Sequence, residues 1–113
     1  MSLMIKDVAY AAITAGTTQT LAGATALLAD VSQVTVGTAS DGVLLPVCAA
    51  GMVLFVKNVS ANAGKAYAAN SGTIDGTAGA TGVSLTASKT SIFASIGINT
   101  TGGTVWVTLG AIS

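Results

Sequence analysis

"TIDGTAGATG", residues 73–82, comes nearest in this chain to a ligand-binding loop. Gly76, Gly79 and Gly82 stand three apart, Asp75 precedes them and Gly72 lies just outside. Glycines so spaced can gather backbone N–H groups around a phosphate when a strand leads in and a helix follows, because the helix N-terminus holds the anion. Here "VSLTAS" follows, which alternates as a strand does, and Lys89 sits too far along, in "SKTS", to complete a Walker loop. Turn chemistry accounts for the stretch: Asp75-Gly76 makes one bend, and Gly79 and Gly82 relax the next.

Other chemistry lacks its parts. Ser and Thr are abundant, but His, Glu and Arg are absent, so neither a Ser-His-Asp nor a Cys-His arrangement can be built. Asp30, Asp41 and Asp75 could meet in space for acid–base work, yet two of the three stand in turn positions that suit Asp for local hydrogen bonding. Zinc or iron would need His or several Cys, and calcium a dense acidic loop. Cys48 is the single cysteine; it can form no disulfide within the chain and reads as a small core residue. The sequons at Asn58 and Asn99 matter only in a eukaryotic secretory setting, of which the sequence gives no sign. Tyr10, Tyr67 and Trp106 could offer a sugar-stacking surface, although core or interface packing suits Trp106 better. The reading is of a non-enzyme with no cofactor and no metal.

The elements that would position these residues belong to one domain of 113 residues. All eight charges are Lys6, Asp7, Asp30, Asp41, Lys57, Lys65, Asp75 and Lys89. A monomer of this mass exposes roughly 5,600 Å², or about one charge per 700 Å², far below the roughly quarter to third of charged residues on an ordinary soluble surface. Much of the exterior is therefore expected to be covered by other subunits. Zero net charge with four scattered Lys argues against nucleic acid. Mean hydropathy of +0.77 raises the question of a membrane. The longest apolar run, "VLLPVCAAGMVLFV" (43–56), is interrupted by Pro46 and Gly51 and is shorter than the about 20 residues a spanning helix needs. "MSLMIKD" makes a poor signal peptide, its Lys cancelled by Asp7.

Short runs of Thr, Val, Ile and Ser cut by Gly and Asn predict strands. "TSIFASIGI" (90–98) and "TVWVTL" (104–109) flank "NTTGG", a hairpin loop. With Ile98 facing Thr104, Ile96 is expected beside Trp106 on one face, and Phe93 with Leu109, Val105 and Val107 on the other. Both faces are apolar, so one should line the core and the other a subunit contact, with Phe93, Ile96, Val105, Trp106 and Val107 as candidate contact residues. "QVTVGTAS" (33–40) and "VLLPV" (43–47) read as a hairpin joined by Asp41-Gly42. "GMVLFVKNVS" (51–60), "KAYAA" (65–69) and "VSLTAS" (83–88) complete the set. "LAGATALLAD" (21–30) allows one short helix at most. The expected fold is all-β: a small antiparallel sandwich or barrel of six to eight short strands over residues 14–113, with residues 1–13 either an extended arm or a first strand.

Several segments together carry a resemblance. They are the Asp-Gly-Val-x-Leu-Pro segment at Asp41–Pro46, the turn at Ala49–Gly51, the Val-x-Asn-ending strand Met52–Asn58, and Lys65–Tyr67. The bend Gly72–Gly76, the Val83–Thr90 segment and the late Trp106 complete them. Over residues 20–109 the chain resembles the small Ala/Gly/Thr-rich β proteins of tailed bacteriophage virions. It departs at Ala68, where that pattern places a Pro. The resemblance implies a capsid decoration (cement) protein on the virion surface, or a head- or tail-fibre module, in either case trimeric. It also implies that residues 1–13 lie on the major capsid protein, with Met4, Ile5, Val8, Tyr10 and Ile13 as anchors. A glycan- or receptor-binding fibre module and a bacterial filament subunit are the alternatives.

Overall fold

The computed structural model describes residues 10–47, 49–69 and 71–112. Among them regular structure is all strand. A seven-stranded sheet holds β1 (Tyr10–Thr14), β3 (Val31–Thr35), β5 (Val53–Asn58), β10 (Thr90–Ile98), β11 (Thr104–Ile112), β7 (Thr73–Ile74) and β8 (Thr77–Ala78), in that spatial order. A four-stranded sheet holds β2 (Thr25–Ala26), β4 (Gly42–Leu45), β6 (Gly64–Ala68) and β9 (Val83–Leu85).

The pairing is mixed, which corrects the antiparallel expectation. From β1 to β6 the chain alternates between the sheets, odd strands in one and even strands in the other. A parallel pair needs a crossover, and here each crossover carries a strand of the opposite sheet. β1–β3, β3–β5, β2–β4 and β4–β6 are accordingly parallel. The later strands turn back: β10 pairs antiparallel with β5 and β11, and β9 with β6.

The Asp41-Gly42 hairpin is not formed, because β3 and β4 lie in different sheets. Ser40 takes the positive φ of 73°, and Asp41 is buried within the arch between the sheets. The Asp75-Gly76 bend is formed as expected. Its φ values of 53° and 80° join β7 to β8 through two residues of the left-handed type that such a turn requires. "NTTGG" also closes its hairpin: the Asn99 carboxamide oxygen accepts from the backbone N–H of Thr101 at 3.0 Å and Gly103 at 2.9 Å. Residues 21–30 form a turn and β2 rather than a helix, the Leu27 N–H donating to the Leu44 carbonyl at 2.9 Å.

One cluster of buried apolar side chains draws on both sheets. Val34, Leu54, Val56, Phe93 and Trp106 come from one, and Val43, Leu45, Ala66 and Leu85 from the other. Burying each of the larger ones contributes about 1.5–3 kcal/mol. Between the strands Asn58 acts as a polar tie. Its amide donates to the Asn62 and Leu85 carbonyls at 2.8 and 3.2 Å, and its oxygen accepts from the Ser60 N–H at 2.9 Å. Buried in this way, it is no acceptor for a glycan.

Candidate functional site

Side chains in a strand alternate between faces, and the seven-stranded sheet is apolar on both. In β5, Leu54, Val56 and Asn58 point inward, while Val53 and Phe55 face out with 42% and 39% of their surface exposed. Register carries the outward set across the sheet, since Val31 lies beside Phe55 and Phe55 beside Ile92. Val53 lies beside Ala94, and Ala94 beside Val107. Val105, half-buried, continues toward β7. Farther along the same strands the row becomes polar, with Gln33 beside Lys57 and Lys57 beside Thr90. The result is a contiguous apolar patch with a polar border on one side, an arrangement typical of association surfaces.

Of the five contact candidates from the sequence, Ile96, Val105 and Val107 lie on or beside the outward patch, Ile96 with 58% of its surface exposed. Phe93 and Trp106 do not: both are fully buried in the chain's own core. The cause is a bulge. Ile98 does face Thr104, but the register slips between Ser95 and Gly97, so Ser95 rather than Ile96 opposes Trp106. A residue added to one strand is left unpaired, and Ile96 is turned outward. A second slip between Ile92 and Phe93 sets Phe93 against Thr108 and leaves Leu109 outside the pairing, 61% exposed. Val31, Val53, Phe55 and Ile92 join the patch without having stood out in the sequence. The two-sided hydrophobicity of "MVLFV" (52–56) is the signal there for Val53 and Phe55.

Of the arm residues, Met4, Ile5 and Val8 lie outside the described residues. Tyr10 and Ile13 belong to β1, paired with Val31 and Val34 of β3, and Ile13 packs against the core. Residues 10–13 are thus part of an edge strand.

The groups singled out for chemistry are engaged in holding shape. In the glycine stretch the Gly79 N–H donates to the Gly72 carbonyl at 2.8 Å, and those of Thr81 and Gly82 donate to Ala78. These donors are turned into the protein's own turns and not toward an anion. A Cβ on Gly79 would run into the Ala68 carbonyl, so glycine is required there for close approach. Asp75 accepts from the Thr108 N–H at 2.8 Å and pins the β7–β8 turn to β11. Asp41 accepts from the Thr38 N–H at 3.1 Å and from the Gln19 side-chain amide. Among the described residues no three His, Cys, Asp or Glu gather as metal ligands; Cys48 lies outside them. Tyr67 is 3% exposed, its ring set against Gly42 and Gly82, so neither it nor Trp106 presents a stacking face.

Comparison of the chain with protein-family models, curated proteins and solved structures gave no match.

Proposed function

We propose that this chain is a structural protein of a bacteriophage virion. In this reading it is a decoration subunit, two sheets stacked as a small sandwich, that assembles as a homotrimer and stiffens the shell by binding the major capsid protein between capsomers. The observation that carries the reading is the outward patch of Val31, Val53, Phe55, Ile92 and Val107, together with Ile96 and Leu109, on a chain with only eight charges. Apolar area removed from water is worth about 25 cal/mol per Å² before association costs are met. A surface with so little charge gains more from being covered than from being hydrated. The motif resemblance over residues 20–109 supplies the virion setting.

Immunogold labelling of intact virions from the source, with antibody raised against the folded chain, tests this. Gold over the outer shell is expected. Labelling confined to tails or to bacterial surfaces would contradict the decoration reading. Two of the three stacking candidates of the fibre-module alternative, Tyr67 and Trp106, are buried, which favours the decoration reading over it.

A further inference from the structure

The two strands of the β10–β11 hairpin carry one pattern twice. "IFASIG" (92–97) and "VWVTLG" (105–110) share the order aliphatic, aromatic, Ala or Val, hydroxyl, aliphatic, glycine. Their register makes the two equivalent in space. Ala94 pairs with Val107 at the centre. On one side Phe93 opposes Thr108 and Ile92 opposes Gly110; on the other Trp106 opposes Ser95 and Val105 opposes Gly97. A half-turn about an axis through the central pair therefore lays each strand's sequence on the other's. The two slips obey the same half-turn, Ile96 being the extra residue on β10 and Leu109 on β11. Environment follows sequence: Phe93 and Trp106 are fully buried, while Ile96 and Leu109 are 58% and 61% exposed.

A bulge leaves one residue unpaired and bends its strand. A polar residue at the unpaired position would serve the bend equally well, yet both bulges place an aliphatic side chain in water, where it gains nothing for a lone chain. Beside each stands a glycine, Gly97 with φ 159° and Gly110 with φ 141°. Both glycines lie in the outward rows, next to Val105 and Ile92, and a Cβ on either would meet nothing within 4 Å. The hairpin thus presents two raised aliphatics, each adjoining a gap of its own, about 13 Å apart along the strands. Such a surface is complementary to itself. Residues 90–113 hold no charge, so identical copies meeting there bring no like charges together.

We infer that these two units join each subunit to both of its neighbours. Ile96 of one copy enters the gap over Gly110 of the next, whose Leu109 enters the gap over Gly97 of the first. Contact of this kind is head-to-tail, and it closes into a ring with one unit given to each neighbour. The inference rests on the trimeric reading above.

Cross-linking of full-length chains tests it. Within one chain positions 96 and 109 are too far apart for a disulfide, which needs Cα atoms within about 7 Å. A chain carrying both Ile96→Cys and Leu109→Cys, with Cys48 left in place, is mildly oxidised, and its disulfides are mapped by peptide mass spectrometry beside wild type. A link from position 96 of one chain to position 109 of another is expected, closing a covalent trimer, and neither single variant is expected to link to itself through the new position. In separate variants, Ile96→Ser and Leu109→Ser are each expected to raise the concentration of half-dissociation about tenfold, leaving the thermal stability of the monomer unchanged. A trimer that forms without the 96–109 link, or that links 96 to 96 or 109 to 109, overturns the head-to-tail docking and leaves the assembly standing. Serine variants that lose monomer stability but dissociate like wild type would assign both bulges to folding, with the same consequence. Wild-type monomers at every concentration overturn the assembly reading, and the docking with it.

Discussion

Asp41 and Asp75 each precede a glycine, yet their surroundings set different consequences for losing them. Asp41 is 1% exposed and accepts from two donors, the Thr38 N–H and the Gln19 amide. Truncating it removes two hydrogen bonds to a buried carboxylate that tie exposed Gln19 and Thr38 to the arch between the sheets. Asp41→Ala is expected to cost about 1–3 kcal/mol, read as a lower urea midpoint with unchanged slope; a midpoint equal to wild type would contradict the clamp role. Asp75 is exposed and makes its bond to Thr108 at the surface, so its loss should cost less. The glycines differ in the same way. Gly76 has φ +80°, and a Cβ there would meet nothing within 4 Å, so Gly76→Ala carries only conformational strain, about 1–2 kcal/mol. Gly79→Ala meets the Ala68 carbonyl and is expected to yield insoluble or unfolded chain. Soluble, wild-type-like circular dichroism for Gly79→Ala would refute the close packing described.

At the scale of elements, much of the strand pattern was legible and much of the pairing was not. Thr/Val/Ile alternation marks β3, β5, β10 and β11 in the sequence because each buries one face. The "NTTGG" loop fixes its hairpin through Asn99, a local interaction. Asp75-Gly76 and Asp41-Gly42 look alike locally, but the first turns back on its own sheet and the second crosses to the other. That choice depends on where β1 and β5 lie on either side of β3, which no short window contains. The bulge at Ile96 is likewise invisible in the alternation, and it sets Ser95 rather than Ile96 opposite the buried Trp106, leaving Ile96 at the surface. The burial of Trp106 has a measurable consequence. Trp106→Ala is expected to cost about 3–5 kcal/mol, lowering thermal stability whatever the protein concentration. A residue at a subunit contact would instead show a loss that depends on concentration, and that result would return Trp106 to the interface.

For the whole molecule the governing fact is an accessible surface of 5479 Å² on a chain with only eight charged residues, of which Asp41 is buried. Composition alone points to a covered exterior without saying where. The place emerges only when β3, β5, β10 and β11 are laid side by side, bringing Val31, Phe55 and Ile92 into one row and Val53, Ala94 and Val107 into the next. Phe55 sits in the middle of the patch and contributes nothing to the core, so a charge there should spare the fold and oppose association. The decisive measurement is the solution mass of the purified chain and of Phe55→Asp, by sedimentation over a wide concentration range. Wild type is expected as a discrete particle of three times the 10.9 kDa chain mass, and Phe55→Asp as a folded monomer. A wild-type chain that remains a soluble 10.9 kDa monomer at high concentration would contradict the claim that this face is covered.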